Sequence, residues 1–198
     1  KTPRMYVISL ITGKVLYQNG NGDGFALRAW SAFDSSPLVD AETDTLIWPG
    51  ENGVLYTIKL NTSYDKDAGT IEINPDKPVK TRYRDNYSRQ SRYVGYEDSV
   101  VVVDHWLYVA DNAGMFYCVD LNTMELVWAQ DTKDDSNSSP VFDGEALYTA
   151  PSLHWTKQSD DTGTISIYKL DAVTGEILWE KPYAVHTVSG VSGGIQSS

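Results

Sequence analysis

One stretch decides the fold: residues 117–123, Tyr-Cys-Val-Asp-Leu-Asn-Thr, with Trp128 five residues later. The chain of 198 residues contains four copies of this stretch, which begin at Tyr6, Tyr56, Tyr117 and Tyr168. Each copy has a tyrosine first, an aliphatic residue two positions on and a threonine six positions on. The copies begin 50, 61 and 51 residues apart, and a period of this size indicates an array of similar supersecondary units.

The segments around each copy predict short strands joined by hairpin turns, with no helical periodicity of useful length. Four strands in a unit of about 40 to 50 residues are typical of a β-propeller. We therefore predict an all-β fold, a β-propeller of four-stranded antiparallel blades, with about three full blades and two partial ones. The predicted single propeller region consists of a partial blade at residues 1–30, blades at about 31–93, 94–134 and 135–185, and the start of a next blade at 186–198.

The copies disagree at three places, which are an insertion at residues 63–68, a basic loop at 80–93 and a long loop at 151–163. In the second unit we expect residues 70–73 to close the blade after the insertion, and residues 74–93 to form one long loop. Loops of this kind often carry function.

Arginine and aromatic side chains are the usual anchors of interfaces, and they define the candidate binding residues. These residues are Arg84, Tyr87, Arg89, Arg92, Trp106, His154 and Trp155. For Trp106, packing within a strand is the competing interpretation.

The composition excludes several classes of protein. The net charge of −11 argues against nucleic acid as a partner, because nucleic acid needs a basic face. No apolar run approaches the length of a transmembrane segment. Cys118 is the single cysteine, so no internal disulfide can form, and its position in a predicted strand favours a buried thiol.

Catalytic patterns are sparse. His105, His154 and His186 lie in three different segments and form no pair with the spacing of metal ligands. The sequence contains no Gly-x-Ser-x-Gly motif, phosphate loop or dinucleotide-binding fingerprint. We therefore predict no catalytic residue and no metal site.

The fourth copy carries a family resemblance. Its pattern is Tyr-x-Leu-Asp-Ala-x-Thr-Gly-x-x-x-Trp from Tyr168 to Trp179, which resembles the repeat of quinoprotein (pyrroloquinoline-quinone-type) propellers. The third copy departs from the pattern with Met124 at the glycine, and the first departs with Tyr17 at the tryptophan. The resemblance implies a ring of seven or eight blades. A closed ring of four blades is the alternative, in which residues 193–198 start the blade that residues 5–18 complete.

In that family the tryptophan ties one blade to the next, and units that cannot bury their faces alone need such contacts. The predicted residues for docking between blades are Tyr17, Trp128 and Trp179, with the repeated tyrosines Tyr6, Tyr56, Tyr117 and Tyr168.

The resemblance also implies several functions. The quinone-dependent dehydrogenases of the family use a calcium-bound cofactor, often held against a ring of adjacent cysteines, whereas this chain has one cysteine. We therefore expect no cofactor. Pyrroloquinoline quinone with calcium is expected only if a complete ring supplies the binding site.

The preferred hypothesis is a non-catalytic binding or assembly scaffold that resembles the cofactor-free members of the family, among them a lipoprotein of the bacterial outer-membrane assembly machinery. Its partner would be a protein or a small ligand at a propeller face. One alternative is a fragment of a quinone-dependent oxidoreductase, with residues such as Asp104 or Asp111 as metal ligands. Another is a secreted saccharide-binding or sensor propeller. An extracytoplasmic location is expected, although no signal is visible in the sequence.

Overall fold

The computed structural model of the chain describes residues 4–20, 24–27, 32–83, 95–155, 162–186 and 193–194. Regular secondary structure in these ranges consists of β-strands alone. In chain order they are β1 (Arg4–Ile8), β2 (Val15–Gly20), β3 (Leu38–Asp40), β4 (Thr45–Gly50), β5 (Val54–Lys59), β6 (Ser63–Asp65), β7 (Thr70–Glu72), β8 (Val79–Thr81), β9 (Val101–Val103), β10 (Trp106–Ala110), β11 (Met115–Asp120), β12 (Glu125–Asp131), β13 (Val141–Phe142), β14 (Ala146–Thr149), β15 (Ser152–Leu153), β16 (Thr162–Asp171), β17 (Ile177–His186) and β18 (Gly193–Gly194). Among the described residues, no helix has the length and apolarity needed to span a bilayer.

The strands form four main sheets in sequence order, all with antiparallel neighbours. Sheet 1 contains β1 and β2; sheet 2 has the order β3-β4-β5-β8; sheet 3 has the order β9-β10-β11-β12; and sheet 4 has the order β13-β14-β16-β17. Two small pairs accompany them, β6 with β7 and β15 with β18. The pairing of β15 with β18 places a strand inside the long loop predicted at residues 151–163.

The closing strand of the second unit differs from the prediction. Residues 70–73 were expected to close the blade, but β7 pairs with β6 in a separate hairpin, and β8 pairs with β5 through Tyr56 and Lys80. The two ends of the hairpin lie side by side, because the backbone N–H of Asn74 donates to the carbonyl of Leu60 (2.8 Å). The strand that pairs with β5 therefore comes after the hairpin. The predicted long loop at 74–93 is also interrupted, because β8 lies within it.

The hydrophobic core consists of three seams, each lying between one sheet and the next. The first seam joins Met5 and Val7 of sheet 1 to Tyr56 and Ile58 of sheet 2. The second joins sheet 2 to sheet 3, with Ile47, Leu55, Leu107, Val109, Tyr117 and Val119. The third joins sheet 3 to sheet 4, with Tyr108, Phe116, Cys118, Leu147, Tyr168 and Leu170. Successive residues of β10 and β11 therefore serve opposite seams, as the two-residue period of a strand requires.

Three of the four repeated tyrosines are fully buried, and each hydroxyl has a polar partner. Tyr56 accepts from Asn52 Nδ2 (2.8 Å), and Tyr117 donates to Asp111 Oδ2 (2.6 Å). The Tyr168 hydroxyl lies 3.4 Å from Glu180 Oε1. Tyr6 differs, because it is 43% exposed while its neighbours Met5 and Val7 face the seam. The register of the first copy is the same as in the third and fourth, since Val7 pairs with Tyr17 as Cys118 pairs with Trp128. Tyr6 is exposed because it faces the side of sheet 1 opposite the first seam, where no described sheet packs.

Candidate functional site

Asn112 connects two separate segments at one end of sheet 3. It lies in the turn between β10 and β11, and its Oδ1 accepts from the Gly95 N–H (2.6 Å). Its carbonyl accepts from the Trp155 indole N–H (2.8 Å), and its Nδ2 donates to Glu97 Oε1 (2.7 Å). The buried side chain and carbonyl of Asn112 thus hold the segments of Gly95 and Trp155 together.

At this end of the sheets, close contacts with the backbone restrict which residue types can be accommodated. A side chain at residue 95 would place its Cβ 2.1 Å from the carbonyl oxygen of Glu51, so only glycine fits there. Asp111 Oδ1 accepts from the backbone N–H groups of Ala113 (3.0 Å) and Met115 (2.9 Å), which fixes the turn that carries Asn112.

Asp134 and Asp135 hold the segment that ends at Trp155. Asp134 Oδ1 accepts from the backbone N–H groups of His154 (3.1 Å) and Trp155 (2.8 Å). Asp135 Oδ2 lies 3.0 Å from His154 Nδ1, and the His154 and Trp155 rings are 3.9 Å apart. These contacts hold His154 and Trp155 in place. Both carboxylates are buried and do not face solvent. We call residues 50–53, 95–98, 111–114, 132–137 and 150–155 together the turn face.

Glu97, Asp98 and Asp135 of the turn face have raised pKa values, since burial disfavours the charged forms of their carboxyl groups. Burial raises the pKa of Asp98 to about 7, although a hydrogen bond from Ser136 Oγ (2.8 Å) partly offsets this. Burial also raises the pKa of Glu97, to which the negative charges of Asp135 and Glu51 add. Burial raises the pKa of Asp135, although the hydrogen bond and the charge of His154 partly lower it. Asp98 Oδ1 and Asp135 Oδ1 have no hydrogen-bond partner.

The structure brings together two of the predicted binding residues and separates a third. His154 and Trp155 lie side by side on the turn face. Trp106 begins β10, stacks on His105 with ring centres 4.1 Å apart and packs against the third seam. It therefore lies at the opposite end of β10 from Asn112. Arg84, Tyr87, Arg89 and Arg92 lie outside the described residues.

The predicted docking residues occupy different environments. The Trp128 indole N–H donates to the carbonyl of Ala172 in sheet 4 (3.2 Å), and its ring lies against Gly175. Tyr17 packs against the first seam. Trp179 is on sheet 4, where its ring is 6.0 Å from that of Tyr148 and 40% of its surface is exposed.

Tyr83, at the start of the predicted basic loop, takes part in the second seam. Its ring centre is 6.1 Å from that of Tyr117, and its hydroxyl donates to the carbonyl of Met124 in sheet 3 (3.1 Å). Burial raises the pKa of the Tyr83 hydroxyl. Tyr83 therefore connects sheet 2 to sheet 3 by a side-chain hydrogen bond, and Trp128 connects sheet 3 to sheet 4 by another.

The residues that the structure describes do not fit a calcium-bound quinone. Cys118 is buried in the third seam, and burial raises the pKa of its thiol to about 12. Asp104 and Asp111, which the sequence suggested as metal ligands, lie at opposite ends of β10 and cannot share an ion. In the part of the chain that the structure describes, no three His, Cys, Asp or Glu side chains are placed to hold a metal.

Sequence reasoning missed Asn112, Asp134 and Asp135. Asp134 and Asp135 belong to no repeated position, whereas Asn112 has a counterpart in Asn52, which follows an acidic residue in the turn between β4 and β5. The usable signal was weak: Asp111-Asn112 precedes a glycine in a predicted turn, and Asp134-Asp135 precedes the Ser-Ser-Pro opening of the next unit.

Stacked four-stranded antiparallel sheets with these repeats define the class of the protein, a β-propeller with quinoprotein-like repeats. Residues 38–194 match the family described as outer membrane protein assembly factor BamB, and the chain belongs to this family. No curated protein sequence matches the chain.

Several solved structures resemble the chain. BamB from Moraxella catarrhalis is 17% identical, with a TM-score of 0.55 over 90% of this chain and 46% of that one. Sqt1 from Saccharomyces cerevisiae is 13% identical, with a TM-score of 0.60 over 98% of this chain and 53% of that one. A europium-containing methanol dehydrogenase is 12% identical, with a TM-score of 0.51 over 74% of this chain and 24% of that one.

The chain spans about half the length of the first two structures. At these identities the likeness shows the fold alone. It confirms the predicted all-β propeller, and the family match confirms the quinoprotein resemblance.

Proposed function

We propose that the chain is a non-catalytic scaffold for protein binding, and that the turn face is its recognition surface. One observation carries the proposal: Asn112 holds both Gly95, which follows the predicted basic loop, and Trp155, which lies in the long loop. Repeated positions are accounted for by packing in the seams. The long loop, where the repeats disagree, lies here, and Gly95, the second residue after the predicted basic loop, adjoins it through Asn112.

The half-buried rings of His154 and Trp155 are the proposed contacts for the partner. Their backbone is fixed by Asp134, so little conformational entropy remains to be lost on binding. A rigid tryptophan is the kind of side chain that dominates interface energies. Arg84, Tyr87, Arg89 and Arg92 stay predicted members of the same surface.

The family description supports a role in the assembly of outer membrane proteins. The expected partner is then a protein component of an assembly machinery, and the expected location is extracytoplasmic. The scaffold would act by positioning its partner, which needs no catalytic group or cofactor.

Replacing Trp155 tests the proposal. In cells that make the full-length protein, Trp155→Ala should lower co-purification of the outer-membrane assembly machinery at least about tenfold, the loss typical of a central aromatic contact. The melting temperature should change little, because Trp155 lies outside the seam clusters.

Trp106→Ala is the matched control, since Trp106 is also a half-buried tryptophan but lies at the other end of β10. It should lower the melting temperature and leave co-purification intact. Equal loss of co-purification in both variants would show that stability, and not the turn face, controls the association.

A further inference from the structure

A cavity of about 160 Å³ lies in the third seam, beside the turn face. Its apolar walls include Pro151, Ile165, Tyr168 and Pro182, and Lys133 and Glu180 also line it. Asp134, which holds the backbone of Trp155, is part of the same wall. A ligand in this cavity would thus lie next to a partner bound at the turn face.

The second seam has Tyr83 beside its repeated tyrosine, Tyr117. Tyr83 lies three residues after Lys80, the partner of Tyr56, and Lys133 lies four residues after Ala129, the partner of Tyr117. The Tyr83 ring lies 6.1 Å from the ring of Tyr117. Lys133 Nζ lies 5.8 Å from the ring centre of Tyr168, the next repeated tyrosine. Where one seam has a phenol ring, the other has an ammonium group on a flexible chain.

The size of the cavity suits one aromatic ring. An apolar cavity of about 150 Å³ is large enough to bind benzene. The phenol ring of Tyr83 shows directly that the seams of this fold accept a tyrosine side chain over a repeated tyrosine.

The polar groups of the cavity suit a hydroxyl on that ring. Glu180 Oε1 accepts from Ser166 Oγ (2.6 Å) and Lys133 Nζ (3.1 Å). Glu180 Oε2 accepts from Lys133 Nζ (3.2 Å), which leaves this oxygen able to accept a further hydrogen bond. Lys133 and its ion pair are partly exposed, so the ammonium can move aside when a ring enters.

We propose that this seam cavity receives a tyrosine side chain of the protein partner, with its ring against Tyr168 and its hydroxyl donating to Glu180. The inference rests on the proposed scaffold function and names the chemistry of one partner contact. A phenylalanine would fill the same volume but would leave the carboxylate of Glu180 without the added donor.

N-acetyl-tyrosinamide is the probe for the test, used with the whole chain and saturation-transfer NMR. We expect weak binding, with a dissociation constant on the order of 1 mM, because one ring contributes little contact area. N-acetyl-phenylalaninamide should bind about tenfold more weakly, as expected for a site that hydrogen-bonds a hydroxyl. Equal binding of the two probes, or no binding of the tyrosine probe, would overturn the proposal.

Two variants locate the probe. Thr164→Trp places a large ring on an exposed lining residue and should abolish the binding, whereas Thr70→Trp on the exposed strand β7 should leave it unchanged. Glu180→Leu removes the hydrogen-bond acceptor at an exposed position and should remove the preference for tyrosine over phenylalanine without unfolding the chain. If Thr164→Trp binds the probe as the parent does, the cavity is not its site.

The outcomes also separate this proposal from the scaffold function. If Trp155→Ala loses the partner but the tyrosine probe does not bind, the cavity proposal fails and the turn face stands. If the probe binds in the cavity but Trp155→Ala keeps the partner, the turn face fails as the recognition surface.

Discussion

Gly175 shows how a neighbouring sheet decides a residue in a turn. Its φ is +75°, and a Cβ at this position would lie 2.6 Å from the ring of Trp128. Met124 has the corresponding place in sheet 3, with a φ of +59°, and its sulfur lies 3.8 Å from Thr57 Oγ1 in sheet 2. Sheet 2 has no tryptophan at the docking position, so a side chain can occupy that space.

Replacing Gly175 with alanine should destabilise the chain in two ways. We expect a loss of about 3 kcal/mol in the free energy of unfolding, from the left-handed backbone and the clash with Trp128 together. Gly69→Ala is the control, because its φ is +64° but nothing lies within 4 Å of its added Cβ; it should cost about 1 kcal/mol. Urea denaturation measures both, and equal losses would argue against docking by Trp128.

Asp98 predicts a dependence of stability on pH. Its pKa of about 7 in the folded chain lies above the ordinary value of 3.8, so the folded state binds a proton more tightly than the unfolded state. The free energy of unfolding should therefore fall as pH rises from about 4 to about 7 and stay low above that. Asp98→Asn should raise stability at pH 8 by roughly 2 to 4 kcal/mol and change it little near pH 4.

Asp143→Asn should have the opposite effect. Backbone N–H groups of Ala146 and Glu145, with the Tyr148 hydroxyl, lower the pKa of Asp143 to about 2. Its charge stabilises the fold above pH 4, and the benefit is lost as pH falls toward 2. Denaturation of both variants at pH 4 and pH 8 checks the signs. A loss of stability in Asp98→Asn at pH 8 would contradict the burial argument.

At the scale of elements, the β6–β7 hairpin stands apart from the sheets. All six of its strand residues are exposed, including Tyr64 at 64% and Ile71 at 57%. Asn61 Nδ2 donates to the carbonyl of Asn74 (2.9 Å), which ties the two ends of the insertion together. The main sheets therefore do not depend on the outer part of the hairpin.

Shortening this hairpin should leave stability nearly unchanged. Replacing residues 64–71 with Asn-Gly keeps the pair of Ser63 and Glu72 and closes it with a two-residue turn. We expect a change below about 0.5 kcal/mol, as for other exposed sites. The same replacement of residues 121–124 should cost several-fold more, because Leu121 and Met124 pack in the second seam. Thermal unfolding compares the two, and a large loss in the first variant would show that the hairpin supports the fold.

At the scale of the whole molecule, the seams divide the sheets into two kinds. Sheets 2 and 3 each contribute to two seams, whereas sheets 1 and 4 each contribute to one. Units that contact only their neighbours have stabilities that depend on those interfaces. The middle of this chain is therefore expected to be its most stable part.

Amide hydrogen exchange followed by mass spectrometry checks this expectation. Peptides covering β5 and β11 should exchange at least about tenfold more slowly than those covering β2 and β17, because opening a doubly packed sheet breaks two seams. Uniform protection would instead indicate that all four sheets unfold as a single unit.

The sequence by itself determined the repeating architecture. Tyrosine and aliphatic residues at alternate positions, repeated at a propeller period, are local signals, and each acts within its own strand. They gave the strands around Tyr117 and Tyr168 and the docking position of Trp128. The prediction was wrong where the signal was interrupted, because the insertion in the second unit hid β8.

Only the tertiary structure decided which loops meet. Gly95, Asn112 and Trp155 are far apart in the chain, and their hydrogen bonds depend on how sheets 2, 3 and 4 stack. The cavity beside Lys133 likewise lies between segments that are distant in sequence, residues 132–134 and residues 164–182. The repeated positions predict how each sheet packs, because they recur in the sequence. Contacts between non-repeated segments depend on how the sheets stack, and no repeated pattern in the sequence predicts them.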